Sequence, residues 1–221
     1  MILTYLGHSA FKLKGKRGVV VTDPYSGYVG MNMPSVSADI ITVSHNHPDH
    51  SAASLVSGTA RRKNPFLITQ AGEYEVGGLS VFGVETKHDD NGGVERGENI
   101  VFTILIDELR VCHLGDLGHE LSSGQIEAIG SVDVLLCPVG GVFTINPEQA
   151  VKVIRSLEPS IVLPMHYRSA QHDAKVFGEL STLDDFVRVY GRSVASTEKI
   201  EISRSTLPEE TELHLLTAQT A

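Results

Sequence analysis

The chain has 221 residues, 41% of them hydrophobic, a size and composition suited to one domain, residues 1–221, around a substantial apolar core. Its net charge of −9 argues against a phosphate backbone as the main partner, because nucleic-acid binders carry a basic face. No apolar run reaches the roughly 18 residues that span a bilayer, and the segment Met1–Gly15 lacks the layout of a secretory signal, so a soluble, cytoplasmic protein with no membrane partner is expected.

In chain order, residues 2–6, 10–13 and 19–21 read as three short strands joined by turns, the second turn being Gly15-Lys16-Arg17-Gly18. Tyr25 to Pro34, rich in Gly, Met and Tyr, reads as a mobile, partly apolar flap. Ile40 to Val43 is an apolar strand, with a helix expected from Ser51. A strand-rich stretch follows from Phe66 to about Leu114, punctuated by Gly72, Gly77-Gly78 and Gly92-Gly93. From Val111 onward the pattern alternates. Buried-strand runs at 111–114, 132–141 and 161–163 are separated by a short helix near 125–129 and a longer one beginning at Asn146-Pro147, where Asn146 can cap free N–H groups and Pro147 stands at a position that needs no donor. Ala150, Val153, Ile154 and Leu157 share one face of that helix. A last helix is signalled by Leu183, Phe186, Val187 and Tyr190 with Gly191 as its stop, before closing strands near Ile200 and Leu213. Sheet followed by alternating strand and helix fits two packed sheets with helices outside. Cys112 and Cys137 sit in interior-strand runs and are expected as buried free thiols.

The strongest chemical signal is Ser44-His45-Asn46-His47-Pro48-Asp49-His50, directly after an apolar strand. Three imidazoles and a carboxylate within six residues are hard to satisfy without a cation, whereas neutral imidazole nitrogen and carboxylate oxygen are natural zinc ligands. Asp116, in a Gly-Asp turn, and His166, after a buried strand, stand where a ligand can project from a strand end, although a turn-capping aspartate is a simpler role for Asp116. His119 could face the site as a proton donor or stand solvated in its loop, and His113 is expected in the core or beside the site. His8 and Asp23 either partner ligating imidazoles or are satisfied locally. His172 and His214 read as structural or surface residues.

Taken together, Gly7-His8-Ser9, Asp23-Pro24, the H-x-H-x-D-H loop, Gly72-Glu73-Tyr74-Glu75, His88, Gly115-Asp116 and Met165-His166 give a chain that resembles the metallo-β-lactamase fold superfamily. It is most similar to the small bacterial zinc-dependent hydrolases that resemble ascorbate-phosphate lactonases. The resemblance implies an α+β fold, an αββα sandwich of two mixed sheets with helices on the outer faces and the site at one edge. It further implies two divalent metal ions, one held by His45, His47 and His88, the other by Asp49, His50 and His166, with Asp116 between them. His88 lies in Lys87-His88-Asp89-Asp90, which departs from the His-Ser/Thr-x-Gly pattern of better-known members. Glu73, Tyr74 and Asn99 belong to motifs of the resembling branch and are expected to border the substrate pocket.

Two cations sharing Asp116 would hold a hydroxide between them for attack on a small-molecule ester, lactone or phosphoester. Asp49 and Asp116 are the expected catalytic carboxylates, Asp49 as ligand or proton shuttle. Related diiron oxidoreductases carry glutamate where this chain has His47, which favours Zn2+, with Mn2+ or Fe as the other candidates. Two other readings stay open: a non-catalytic metal-stabilised binding or sensing module, and a diiron oxidoreductase.

Overall fold

The computed structural model describes residues 1–192 and 194–219. The opening alternation becomes strands Ile2–Gly7, Ala10–Lys14 and Val19–Thr22, each antiparallel to the next. Ile40–Thr42 then joins Val19–Thr22 in parallel, Phe66–Ile68 joins Ile40–Thr42, and Lys199–Glu201 closes the far edge, giving six strands. A second sheet of seven strands is ordered 212–213, 161–165, 134–138, 109–113, 98–106, 79–87 and 72–76. Its last four strands in that order form an antiparallel meander, and its first four run parallel.

The sheets pack face to face. Leu3, Phe11, Leu13, Val20 and Ile40 from one meet Val81, Phe102, Ile104, Val111, Leu136 and Leu163 from the other in a single buried cluster. Helices Pro147–Leu157 and Leu183–Tyr190 cover the outer face of the second sheet, burying Val153, Ile154, Leu157 and Phe186 against Cys112, Leu135 and Cys137. Burial of each large apolar side chain there contributes on the order of 1.5–3 kcal/mol. Both cysteines are free and buried, and burial pushes the Cys112 thiol up to about 12. Asn146 accepts from Gln149 N–H and Gln149 answers to the Asn146 N–H, a reciprocal cap that starts the longer helix where its sequence signals it.

Over the first sheet the covering layer is thin: loops, two 3-10 turns (Gly27–Val29 and Ala53–Leu55) and the one-turn helix Ala174–Phe177. The helix expected from Ser51 does not form. Ser51 turns its hydroxyl back to His47 O instead of capping, Ala52 offers no side-chain cap, and the chain leaves as strand Val56–Gly58 after one 3-10 turn. The expected flap is anchored at two points, because Tyr25 and Val29 are buried and the Tyr25 hydroxyl donates to Leu6 O at 2.7 Å. No helix among the described residues is long and apolar enough to cross a membrane.

Strands 2–7, 19–22 and 40–42 run in one direction within their sheet, as do 79–87, 109–113 and 161–165 in theirs. Their carboxyl ends are followed by His8, Asp23, Ser44-His45, His88, Asp116 and His166. Pairing direction thus carries side chains as distant in sequence as His8 and His166 to one edge of the sandwich.

Candidate metal centre

The H-x-H-x-D-H loop is oriented from behind by one carboxylate. Asp23 is fully buried and accepts from Ser44 N at 2.8 Å, the Ser44 hydroxyl at 2.5 Å and His50 Nδ1 at 2.8 Å. The Ser44 hydroxyl, having donated to Asp23, accepts from His45 Nδ1 at 2.9 Å. Protons are thereby placed on the Nδ1 atoms of His45 and His50, and the Nε2 atoms of both rings face forward as the positions that a cation would take. Asp23 is where expected and supports two predicted ligands at once.

Asp116 is set by Asn99. The Asn99 amide donates to Leu114 O at 2.9 Å and to Thr86 Oγ1 at 2.7 Å, while its carbonyl accepts from Asp116 N at 2.9 Å. Gly115 makes that turn possible: its φ is +59°, and a Cβ there would lie 2.3 Å from Asn99 Oδ1. Asn99 was expected at the pocket border; it is fully buried behind the ligand turn, anchoring its backbone. Gly118 packs flat on the His88–Asp89 backbone, where a Cβ would meet Asp89 N at 2.3 Å. His119 does not face the site. Its Nε2 accepts from Lys87 N at 3.1 Å and its Nδ1 donates to Glu120 O at 2.8 Å, so it holds the strand end that presents His88. His113 is a buried tie, accepting from Gly115 N at 3.0 Å and donating to Ser9 O at 2.8 Å.

Around Asp116 the predicted set converges. Its Oδ2 lies 3.2 Å from His50 Nε2, 3.2 Å from His166 Nε2, 3.4 Å from His88 Nε2 and 3.9 Å from His45 Nε2. His45, His47 and His88 form one group whose ligand atoms lie within 4.8 Å of one another; Asp49, His50 and His166, with His8, form another. His45 Nε2, His50 Nε2, His166 Nε2 and Asp116 Oδ1 are buried without a hydrogen-bond partner. Orphaned imidazole nitrogens turned toward a shared carboxylate are costly in any role but cation binding, so the residues fit the expected pair of divalent ions. Three of these residues adopt left-handed backbone, His8 (φ 53°), Asp23 (φ 39°) and His166 (φ 52°), a conformation costing roughly 1–2 kcal/mol each. In each case the turn places a strand-end side chain in the centre or, for Asp23, directly behind it.

Electrostatics match this arrangement. Burial would raise Asp116 and Asp49, but neighbouring imidazoles, His166 and His50 at Asp116 and His50 and His8 at Asp49, outweigh it and hold both carboxyls well below the ordinary range. Burial, with the nearby charge of His50, lowers His45 to about 3. Ionised carboxylates beside neutral imidazoles are the states in which these groups bind a cation. His50 is the exception: burial opposes its charge, yet Asp116, Asp23 and Asp49 raise it above the ordinary value.

His172, read from the sequence as a structural or surface residue, is joined to the centre through His8. The Ser169 backbone N–H donates to His172 Nδ1 at 3.0 Å, so that nitrogen is an acceptor and the proton of the neutral ring sits on Nε2. His172 Nε2 donates to His8 Nδ1 at 3.1 Å, and His8 Nε2 in turn donates to Asp49 Oδ2 at 3.3 Å. Burial lowers His172 to about 4, so at neutral pH this directed order holds. His172→Phe is expected to cut metal affinity by about 10-fold or more through a loosened Asp49, while His172→Gln, which keeps an acceptor and a donor, retains most of it; metal titration checks this, and equal affinity in all three proteins would refute it. No local motif marks His172, because its partner is 164 residues away.

The cavity in front of the cluster holds about 290 Å3 and is lined by Tyr28, His47, Asp49, His88, Arg96, Asp116, Phe143 and Phe177, among others. Glu73 and Tyr74 do not reach it: they lie on the edge strand Gly72–Val76, where Tyr74 donates to Gln70 O. A larger groove of about 990 Å3 beside Met1, Lys16, Asp107 and Arg204 lies at the opposite end of the strands and, among the described residues, has no histidine in its lining.

A two-sheet sandwich with a histidine and aspartate cluster at the carboxyl ends of its strands defines a metallohydrolase-type centre. Residues 2–166 match the model of the beta-lactamase superfamily domain. The chain belongs to the metallo-β-lactamase superfamily, among the relatives named UPF0173 metal-dependent hydrolases. One such relative, from Pelotomaculum thermopropionicum, is 30% identical over 200 residues, covering 76% of this chain and 85% of its own. In structure this chain is similar to a candidate Zn-dependent hydrolase of the same superfamily from Thermotoga maritima, 35% identical with a TM-score of 0.80 over 99% of both chains. Igni18, a metallo hydrolase from Ignicoccus hospitalis, shares the fold at 21% identity and a TM-score of 0.67, over 91% of this chain and 99% of its own.

Proposed function

We propose that this protein is a dinuclear metal-dependent hydrolase that cleaves a small-molecule ester, lactone or phosphoester. The observation that carries the reading is the division of ligand atoms into two groups, His45/His47/His88 and Asp49/His50/His166, with Asp116 Oδ2 within 3.4 Å of members of both. Imidazole and carboxylate donors without thiolate suit Zn2+, and also Mn2+ or Fe. Two such ions supply a nucleophilic water at neutral pH and polarise the bond to be cleaved.

The chain's own residues do the rest. Asp23 and Ser44 orient the rings of His45 and His50, Asn99 holds Asp116 at the middle of the cluster, and His8 fixes one oxygen of Asp49. Asp49 is 8% exposed and borders the cavity, so its remaining oxygen can exchange a proton with a reacting group. Phe143 and Phe177 give the cavity an apolar wall on which the non-reacting part of a substrate can pack. Neither free cysteine is placed to act as a nucleophile, as both lie in the core beneath the helices.

Elemental analysis of the wild type beside His47→Ala tests the reading. Two ions per chain are expected in the wild type and about one or fewer in the variant. A wild-type protein that takes up no divalent ion after reconstitution at neutral pH would overturn it.

A further inference from the structure

We infer that Arg96 forms an anion-binding subsite at the rim of the metal centre, so that the substrate carries a carboxylate or phosphate group beyond the bond that is cleaved. This deepens the hydrolase reading and rests on it. The loop from His88 to Gly97 leaves a metal-ligand position and returns beside it, with His88 N donating to Gly97 O at 3.0 Å. Its shape is dictated by Asp89. One carboxylate oxygen accepts from Asn91 N at 2.9 Å and Gly93 N at 2.8 Å; the other accepts from Glu95 N at 2.9 Å and Arg96 N at 2.8 Å. Four backbone bonds to one buried side chain make this a preset loop rather than a loose one, and its last ordered step is the backbone of Arg96.

The guanidinium itself is held but not neutralised. It lies over the Phe143 ring, 5.7 Å from the centroid, and its nearest carboxylate is that of its sequence neighbour Glu95, at 3.7 Å, beyond hydrogen-bond length. The side chain is one-third exposed and lines the same cavity as His47, His88 and Asp116. Among the described residues no other lysine or arginine lines that cavity. Beyond Phe143, the apolar part of the wall is formed by Tyr28, Val176 and Phe177. An anion entering between that wall and Arg96 loses water on one side and meets a planar five-donor fork on the other, the setting in which guanidinium pairs with carboxylate or phosphate most strongly. On a chain of net charge −9, this is the positive group beside the centre that would draw an anionic substrate to it.

Calorimetric titration of the metal-loaded protein with butyrate, glutarate and 3-phosphonopropionate tests the inference, with Arg96→Met and Arg96→Lys as variants and metal content as the control. Glutarate, whose second carboxylate can reach Arg96, is expected to bind the wild type about tenfold more tightly than butyrate. That gain should vanish in Arg96→Met, return in part in Arg96→Lys, and leave metal content unchanged. Tighter binding of 3-phosphonopropionate than of glutarate would identify phosphate as the preferred group, and the reverse would identify carboxylate. A gain that persists in Arg96→Met, no gain in the wild type, or no binding of any probe would overturn the subsite even where the metal is fully loaded. Absence of metal from the wild type is the separate failure, and it strikes the hydrolase reading.

Discussion

Asp116→Ala is expected to empty both halves of the centre and to lower hydrolytic turnover by more than about 100-fold. Among the described residues Asp116 is the only carboxylate that approaches His50, His88 and His166 together, at 3.2, 3.4 and 3.2 Å, so its loss removes the one anion that the two ligand groups share. The fold should survive. The turn that carries Asp116 is held through its backbone by Asn99, not through its carboxylate, and the rest of the cluster sits on strand ends that the variant does not touch. Circular dichroism should therefore match the wild type while elemental analysis shows loss of metal. A variant retaining the wild-type metal content and full turnover would rule out the central role given to this residue.

Asp23→Ala should cost far more stability, about 3–5 kcal/mol in urea denaturation, because it breaks a buried pair and orphans its partners. Asp23 and His50 are both fully buried, and with the carboxylate gone the His50 Nδ1 proton, the Ser44 N–H and the Ser44 hydroxyl lose their acceptor together. Asp23→Asn separates stability from metal binding. The carbonyl of the new amide can still accept from Ser44 N, but its NH2 group would confront the His50 Nδ1 proton; relief comes only if that proton moves to Nε2, which takes the lone pair away from the cluster. Relative to Asp23→Ala, we expect Asp23→Asn to restore part of the stability and none of the metal affinity. Metal affinity equal to wild type in the asparagine variant would show that Asp23 does not set the His50 tautomer.

Both results turn on residues of unequal visibility in the sequence. The H-x-H-x-D-H loop could be read directly because its ligands are local and follow an apolar strand, and Asp116 and His166 were legible as polar residues at the ends of buried runs. Those strands were themselves visible through their apolar runs, and the longer helix through its cap and spacing. What could not be read was hydrogen-bond direction across the fold. Asn99 looked like a pocket residue, since a polar side chain near a motif carries no mark of whether it faces a ligand or a backbone turn; it faces Leu114 O and Asp116 N. His172 and His119 were likewise undetermined, each defined by a partner distant in sequence, His8 in one case and Lys87 in the other. The absent helix after Ser51 was a local misreading, in which a serine suited to capping bonds backward to His47 instead.

One sheet presents His45, His47, Asp49 and His50, the other His88, Asp116 and His166. Ions held by that set would act as rivets across the open edge of the sandwich, joining two halves that elsewhere meet through the apolar cluster between the sheets. Stability and turnover would then draw on the same metal, and a protein short of it would keep its fold but lose part of its stability along with its activity.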